Sequence, residues 1–295
     1  MTAAPAPVSE LDLGSITITY LPDGEFRADP AIAYPTGHDD LFADGLDVVD
    51  EDGMLLLSIG AILVRTPAHR VLIDVGIGDR TIPLVRPGAA RDAFMRGGAL
   101  LRNLRRLGVE PEQIDAVLLT HLHADHVGWI GGGSDGTTPT FPNADFWVAD
   151  AEWAHWNLPE TRGEAVGPRQ HELDLIGGRR RSLAAGVEPV PGITAVPTTG
   201  HTPGHVAFEV RGSGGSALVV GDAVHCPAEV LRPDLRWVGD VDPGAAVETR
   251  RGIATRLDGS ETVLVGPHFP DVVFRRYDRA SSPQLVPLLP ADRGA

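Results

Sequence analysis

A layered α/β fold, sheets carrying a few helices, is the class this sequence predicts, and three observations predict it. Short β-branched runs recur from end to end. Helical periodicity is confined to a few windows. The 35 glycines and 25 prolines punctuate those runs and form no low-complexity block. At 295 residues, 42% hydrophobic and 22% charged, the chain is long enough to bury a core and too apolar for wholesale disorder. We expect one domain over residues 1–295, with its core at about 55–275.

The predicted strands, in chain order, are 15–20, 61–64, 71–73, 116–119, 146–148, 206–210, 217–220 and 262–265. Residues 21–52 are acidic and turn-rich, and read as an irregular insertion ahead of the core. A helix is expected over 89–107, where Phe94, Leu100, Leu101, Leu104 and Leu107 recur at helical spacing before a Gly108 stop. A second helix is expected over 149–156. A third spans 244–257, opened by Asp242-Pro243. Strands in groups with interspersed helices make a layered sheet protein. Residues 131–136 read as a flexible glycine loop.

Composition excludes several chemistries. The chain has no lysine, so every one of its formal cations is arginine. Schiff-base catalysis and a phosphate-loop lysine are thereby ruled out. A net charge of −15 argues against a nucleic-acid partner, and the basic run Arg179–Arg181 reads as a solvated turn. Cys226 is the single cysteine, which excludes an internal disulfide and a thiolate-rich metal cluster. No window approaches the ~18 uninterrupted apolar residues of a membrane span. The N-terminus shows no basic segment followed by an apolar one. A cytoplasmic enzyme with a small-molecule substrate and no membrane partner is the expectation. Oligomeric state stays open, a homo-oligomer included.

Chemistry concentrates at Thr120-His121-Leu122-His123-Ala124-Asp125-His126, directly after an apolar strand. His121 and His123, two apart, can point the same way from extended backbone. Asp125 and His126 then follow in a turn. Such ligand density exceeds any structural histidine pattern. Four more segments repeat one grammar, an apolar strand or turn delivering a ligand-type residue: Asp74, His205, Asp222 and His268. Strand ends are where layered folds place their sites.

With those motifs in place, the sequence resembles the metallo-β-lactamase-fold hydrolases, over roughly residues 60–270. The resemblance implies a four-layer αββα sandwich with its site at one edge, between two sheets. It implies that His121, His123 and His205 hold one divalent metal, and Asp125, His126 and His268 a second, with Asp222 bridging the two. Asp74 would orient the metal-binding loop. A donor set of imidazoles and carboxylates without thiolate suits zinc, and also accommodates iron, manganese or cobalt. The activity implied is hydrolysis by a hydroxide shared between two metals, with Asp125 ferrying a proton to the leaving group.

Substrate class is read from His225, three positions after Asp222. Acyl-homoserine lactonases typically carry tyrosine there, whereas a histidine looks more like the branch containing parathion-type organophosphate hydrolases. An imidazole there can hydrogen-bond a carbonyl or phosphoryl oxygen. Trp129 and Phe269, next to ligand motifs, are the candidate pocket walls. We expect a lactone or ester hydrolase that also accepts phosphotriesters. The alternatives are a thioesterase or β-lactamase of the same superfamily and, from another class, a non-catalytic binding protein. His201 is kept outside the ligand set, because Pro203-Gly204 forbids a helical pair with His205; a supporting hydrogen bond is its alternative role. His38, His69, His155 and His171 read as surface or structural, and Cys226 as a passive buried thiol.

Overall fold

The computed structural model describes residues 2–42, 48–84, 93–132, 136–279 and 283–289. Its strands are β1 (Ser9–Asp12), β2 (Thr17–Ala28), β3 (Leu55–Arg65), β4 (Arg70–Ile73), β5 (Thr81–Pro83), β6 (Phe94–Arg96), β7 (Ala116–Leu118), β8 (Gly131–Gly132) and β9 (Thr138–Pro139). They continue as β10 (Asp145–Ala149), β11 (Arg180–Leu183), β12 (Ile193–Pro197), β13 (Val206–Gly212), β14 (Gly215–Val219), β15 (Val263–Val265), β16 (Phe274–Asp278) and β17 (Gln284–Pro287). The helices are α1 (Pro30–Ala33), α2 (Leu100–Arg106), α3 (Ala124–Val127), α4 (Asp150–Trp156), α5 (Gln170–Gly178), α6 (Pro227–Leu231) and α7 (Pro243–Leu257).

Two sheets stand face to face. The first runs β11-β10-β7-β4-β3-β2-β6-β5, with β1 also on β2; the second runs β12 through β17 in sequence order. Alternating residues of β2, β3, β4 and β7 (Ile18, Tyr20, Ile62, Val64, Val71, Ile73, Leu118) pack against Ile193, Phe208, Val210, Val219 and Val265 of the other sheet. Burial of these apolar side chains drives the pairing, at about 1.5–3 kcal/mol for each aliphatic or Phe side chain fully removed from water. The opposite face of the first sheet (Leu63, Leu72, Val117, Val148) takes Leu100 and Leu104 of α2 and Leu173 and Ile176 of α5. The outer face of the second (Ala207, Leu218, Leu264) takes Val230 of α6 and Ile253 and Leu257 of α7. The layers are therefore α, β, β, α. Among the described residues no helix is long and apolar enough to cross a membrane.

Two elements differ from expectation. The stretch from residue 21 is not irregular at its start, because β2 continues to Ala28 alongside β3. Pro22, Asp23 and Gly24 read as breakers, yet they sit at a register shift that the strand absorbs as a bulge. Residues 43–47 of that stretch lie outside the described residues. The expected helix over 89–107 is shorter, from Leu100 to Arg106. Phe94–Arg96 instead forms a strand between β2 and β5, and residues 89–92 fall outside the description. The expected stop holds, since Gly108 takes a positive φ of 71°. The third helix opens as expected, Asp242 Oδ1 accepting from Gly244 N–H and Ala245 N–H at 3.0 Å.

Candidate metal centre

The parallel strands bring the motifs to one edge. Ile73 of β4 lies beside Leu118 of β7, so Asp74 and the 120–126 segment leave the first sheet side by side. Val219 of β14 lies beside Val265 of β15, which places Asp222 and His268 together beyond the second. Val206 N–H donates to Thr120 O at 3.0 Å and ties the two sheets at this edge. Gly128 closes the turn after the motif; a Cβ there would stand 1.9 Å from the Ile77 carbonyl, so only glycine lets the two loops touch.

Asp74 hydrogen-bonds both the start of the 120–126 segment and His126 within it. Its Oδ1 accepts from Thr120 N–H at 2.9 Å; its Oδ2 accepts from Thr120 Oγ1 and from His126 Nδ1, each at 2.8 Å. Its backbone occupies the left-handed region, φ 57°, a conformation sustained by these bonds.

The structure brings together two groups of donors. His121, His123, His201 and Asp222 form one; Asp125, His126 and His268 form the other. His123 Nδ1 stands 2.9 Å from both His121 Nε2 and His201 Nε2. Asp222 joins the groups. Its Oδ1 lies 2.9 Å from His126 Nε2 and 2.8 Å from His268 Nε2, while its Oδ2 lies 3.3 Å from His201 Nε2. Asp125 Oδ2 stands 3.8 Å from His126 Nε2 and 3.9 Å from His268 Nε2.

The donor group of His121, His123 and Asp222 includes His201, which was expected outside the set, and leaves out His205. His205 directs Nδ1 to Thr198 Oγ1 at 2.8 Å, and its Nε2 accepts Asp222 N–H at 3.0 Å. Its ring centroid stays 5.1 Å from that of His121 and 6.1 Å from that of His201, and it supports the Asp222 backbone. Trp129 and Phe269 likewise leave their expected positions as pocket walls. Trp129 Nε1 donates to buried Asp23 at 2.9 Å, and Phe269 is wholly buried in the core under α6 and α7.

Outer hydrogen bonds fix the rings. His268 Nδ1 donates to Ser58 O at 2.6 Å, His201 Nδ1 to Asp240 Oδ1 at 3.2 Å, and His121 Nδ1 to Thr120 Oγ1 at 3.0 Å. For His201 and His121 the bond leaves the other ring nitrogen facing the group as a lone pair, the form that ligates metal. Burial pushes His123 and His201 down to about 3, and, with the neighbouring His126, holds His121 well below the usual range. Burial opposes charge on His126 as well, but Asp222, Asp74 and Asp125 outweigh it and hold the ring well above the usual range. The Nε2 atoms of His121 and His201 both face His123 Nδ1 at 2.9 Å beside a carboxylate, and a single proton on that atom can serve only one of them. A divalent cation satisfies all of them, so the donor set fits metal.

A cavity of about 670 Å³ opens onto both groups. His123, Asp125, His201, Asp222, His225 and His268 form its polar floor. Its walls are largely apolar, with Phe26, Leu57, Met95, Trp156, Val166 and Trp237 among them. His155, expected at the surface, also lines it. His225 stacks on Trp237 at 4.1 Å and sets Nδ1 3.3 Å from Glu229. Its Nε2 is buried, 3.5 Å from Asp222 Oδ2, and makes no hydrogen bond. Burial opposes charge on this ring, but Glu229 and Asp222 push it up to about 10. Glu229 and Asp240 both face the buried Arg250 guanidinium, at 3.6 and 3.3 Å.

Fold and site together define an αββα sandwich whose histidine and aspartate groups are built to bind divalent metal. The chain belongs to the metallo-beta-lactamase superfamily, whose sequence pattern matches residues 57–268. It is similar to the N-acyl homoserine lactonase AttM of Azorhizobium caulinodans, 32% identical over 226 residues, 71% of this chain and 81% of AttM. For three further curated relatives, an N-acyl homoserine lactonase of a Bacillus species and two mycobacterial probable metallo-hydrolases, the match spans only 56–64% of their length. Among solved structures, the hydrolase AbOPH superposes with a TM-score of 0.77 at 27% identity, covering 98% of this chain and all of that one. AidC, a dizinc quorum-quenching lactonase, shares the fold at a TM-score of 0.79 and 20% identity, over 97% of this chain and 99% of AidC.

Proposed function

We propose that this protein is a metal-dependent hydrolase that opens a lactone or ester bearing an apolar acyl group. The observation that carries the reading is the pair of donor groups sharing Asp222 on the floor of a largely apolar cavity. His121, His123, His201 and Asp222 would hold one divalent cation, and Asp125, His126, His268 and Asp222 the other. Zinc is the metal we assign, by the donor chemistry and the dizinc relative. Two such cations, when bound, supply Lewis acidity and make water a nucleophile at neutral pH.

The chain's own residues do the rest. The apolar walls take the acyl group and exclude water from around it. His225 lines the cavity, and its Nε2, buried 3.5 Å from Asp222 Oδ2 without a hydrogen bond, donates one to the substrate oxygen as charge builds on it. Glu229 and Trp237 hold that ring in place. Asp125, on the cavity floor, passes the proton taken from water to the departing alkoxide as the acyl C–O bond breaks.

N-acyl homoserine lactones head the substrate list, supported by the relatives' activity. Phosphotriesters come second, favoured by His225 where lactonases carry tyrosine. The test is a hydrolysis screen of the zinc-loaded protein against short- and long-chain acyl homoserine lactones, aryl esters, an aryl phosphotriester and a β-lactam. Chelator-sensitive lactone or ester cleavage supports the reading. Turnover of the β-lactam alone would move the protein to another branch.

A further inference from the structure

Glu152, the third residue of α4, is fully buried and belongs to neither donor group. Its carboxylate accepts four hydrogen bonds from three pieces of chain. Oε1 accepts Leu122 N–H at 3.0 Å and Trp156 Nε1–H at 2.8 Å. Oε2 accepts the Thr202 hydroxyl at 2.6 Å and Gly204 N–H at 3.1 Å. Leu122 stands between His121 and His123, and Thr202 directly follows His201.

We propose that Glu152 is a positioning residue that clamps the loop carrying His121 and His123 to the loop carrying His201, setting the spacing of their ring nitrogens. This rests on reading those three histidines as metal-holding. The histidines come from connections of two different sheets, so their 2.9 Å convergence needs a tie between the loops. The second loop is seated tightly on α4: a Cβ on Gly204 would stand 2.1 Å from Glu152 N. Through Trp156 the same carboxylate fixes a cavity wall, whose ring meets His123 edge-on at 5.4 Å. Glutamine cannot replace it. Its NH₂ would face donors whichever way the amide turned, because both oxygens already accept from N–H groups.

The test is equilibrium dialysis of the full chain against buffered Zn²⁺, comparing the parent, E152Q and T202V, with melting curves to establish folding. H268A, which removes a donor from the other group, serves as reference. We expect E152Q to bind one of the two zincs about 10- to 100-fold more weakly. E152Q combined with H268A should hold no zinc at a free Zn²⁺ concentration where each single variant holds one. A purely structural role would lower the melting temperature and leave both zinc affinities of the folded protein unchanged, which overturns the proposal. If E152Q does not fold, the shape-conserving T202V decides: weaker binding of one zinc supports the clamp, and parental affinities overturn it. A parent that binds no zinc overturns the metal reading itself, an outcome distinct from failure of the clamp alone.

Discussion

His201 Nδ1 lies 3.2 Å from Asp240 Oδ1, and this pair orients the imidazole whose Nε2 meets His123. Asp240 is held in turn by Arg250, a fully buried arginine whose other donors go to Pro233 O and Leu235 O. Carboxylate partners of ligating histidines fix the tautomer and raise ligand basicity. Asp240→Asn should therefore weaken zinc binding by about 10- to 100-fold while the folded protein persists. Zinc dialysis beside a melting curve checks it; unchanged affinity would detach Asp240 from the site.

His225→Ala removes an Nε2 that makes no hydrogen bond and leaves every donor of the two groups in place. Turnover should fall by about 10²–10³, the usual effect of deleting one donor to a developing oxyanion, with both metals still bound. The ranking of lactones against phosphotriesters should shift as well. Parental rates and ranking across the screen would make the residue a bystander.

Cys226 is fully buried, and burial together with nearby Glu229 pushes its thiol up to about 12. At pH 8 the native thiol is protonated and shielded, so a thiol-specific chromogenic reagent should react at least roughly a thousandfold more slowly than in denaturant. Stoichiometric labelling of the native protein within minutes would contradict this packing.

The legible part of the site was the part written in consecutive residues. His121, His123, Asp125 and His126 stand within six positions, and that density has a chemical reading whatever the fold does. The choice between His201 and His205 was not legible, because both flank the same Pro203-Gly204 turn. Which imidazole faces His123 is set by Thr198, close to both, and by Asp240, a loop contact far along the chain that local spacing does not announce. Trp129 shows the same limit: its place beside the motif did not reveal that Asp23 would take its indole N–H. The true walls, Phe26, Met95 and Trp237, come from segments far apart in the chain. Of the fold, the apolar strands were readable from their composition, whereas β2 past Leu21 was hidden because a bulge needs the same residues as a turn.

Asp222 joins the two donor groups, and the proposed function requires each group to hold one metal. Elemental analysis of the zinc-reconstituted protein, run beside its lactone hydrolysis rate, tests this most directly. We predict close to two equivalents per chain with chelator-sensitive activity, and loss of both in Asp222→Ala. A parent that cleaves lactones with no bound metal, or an Asp222→Ala variant matching the parent in metal content and rate, would contradict a two-metal site joined by Asp222.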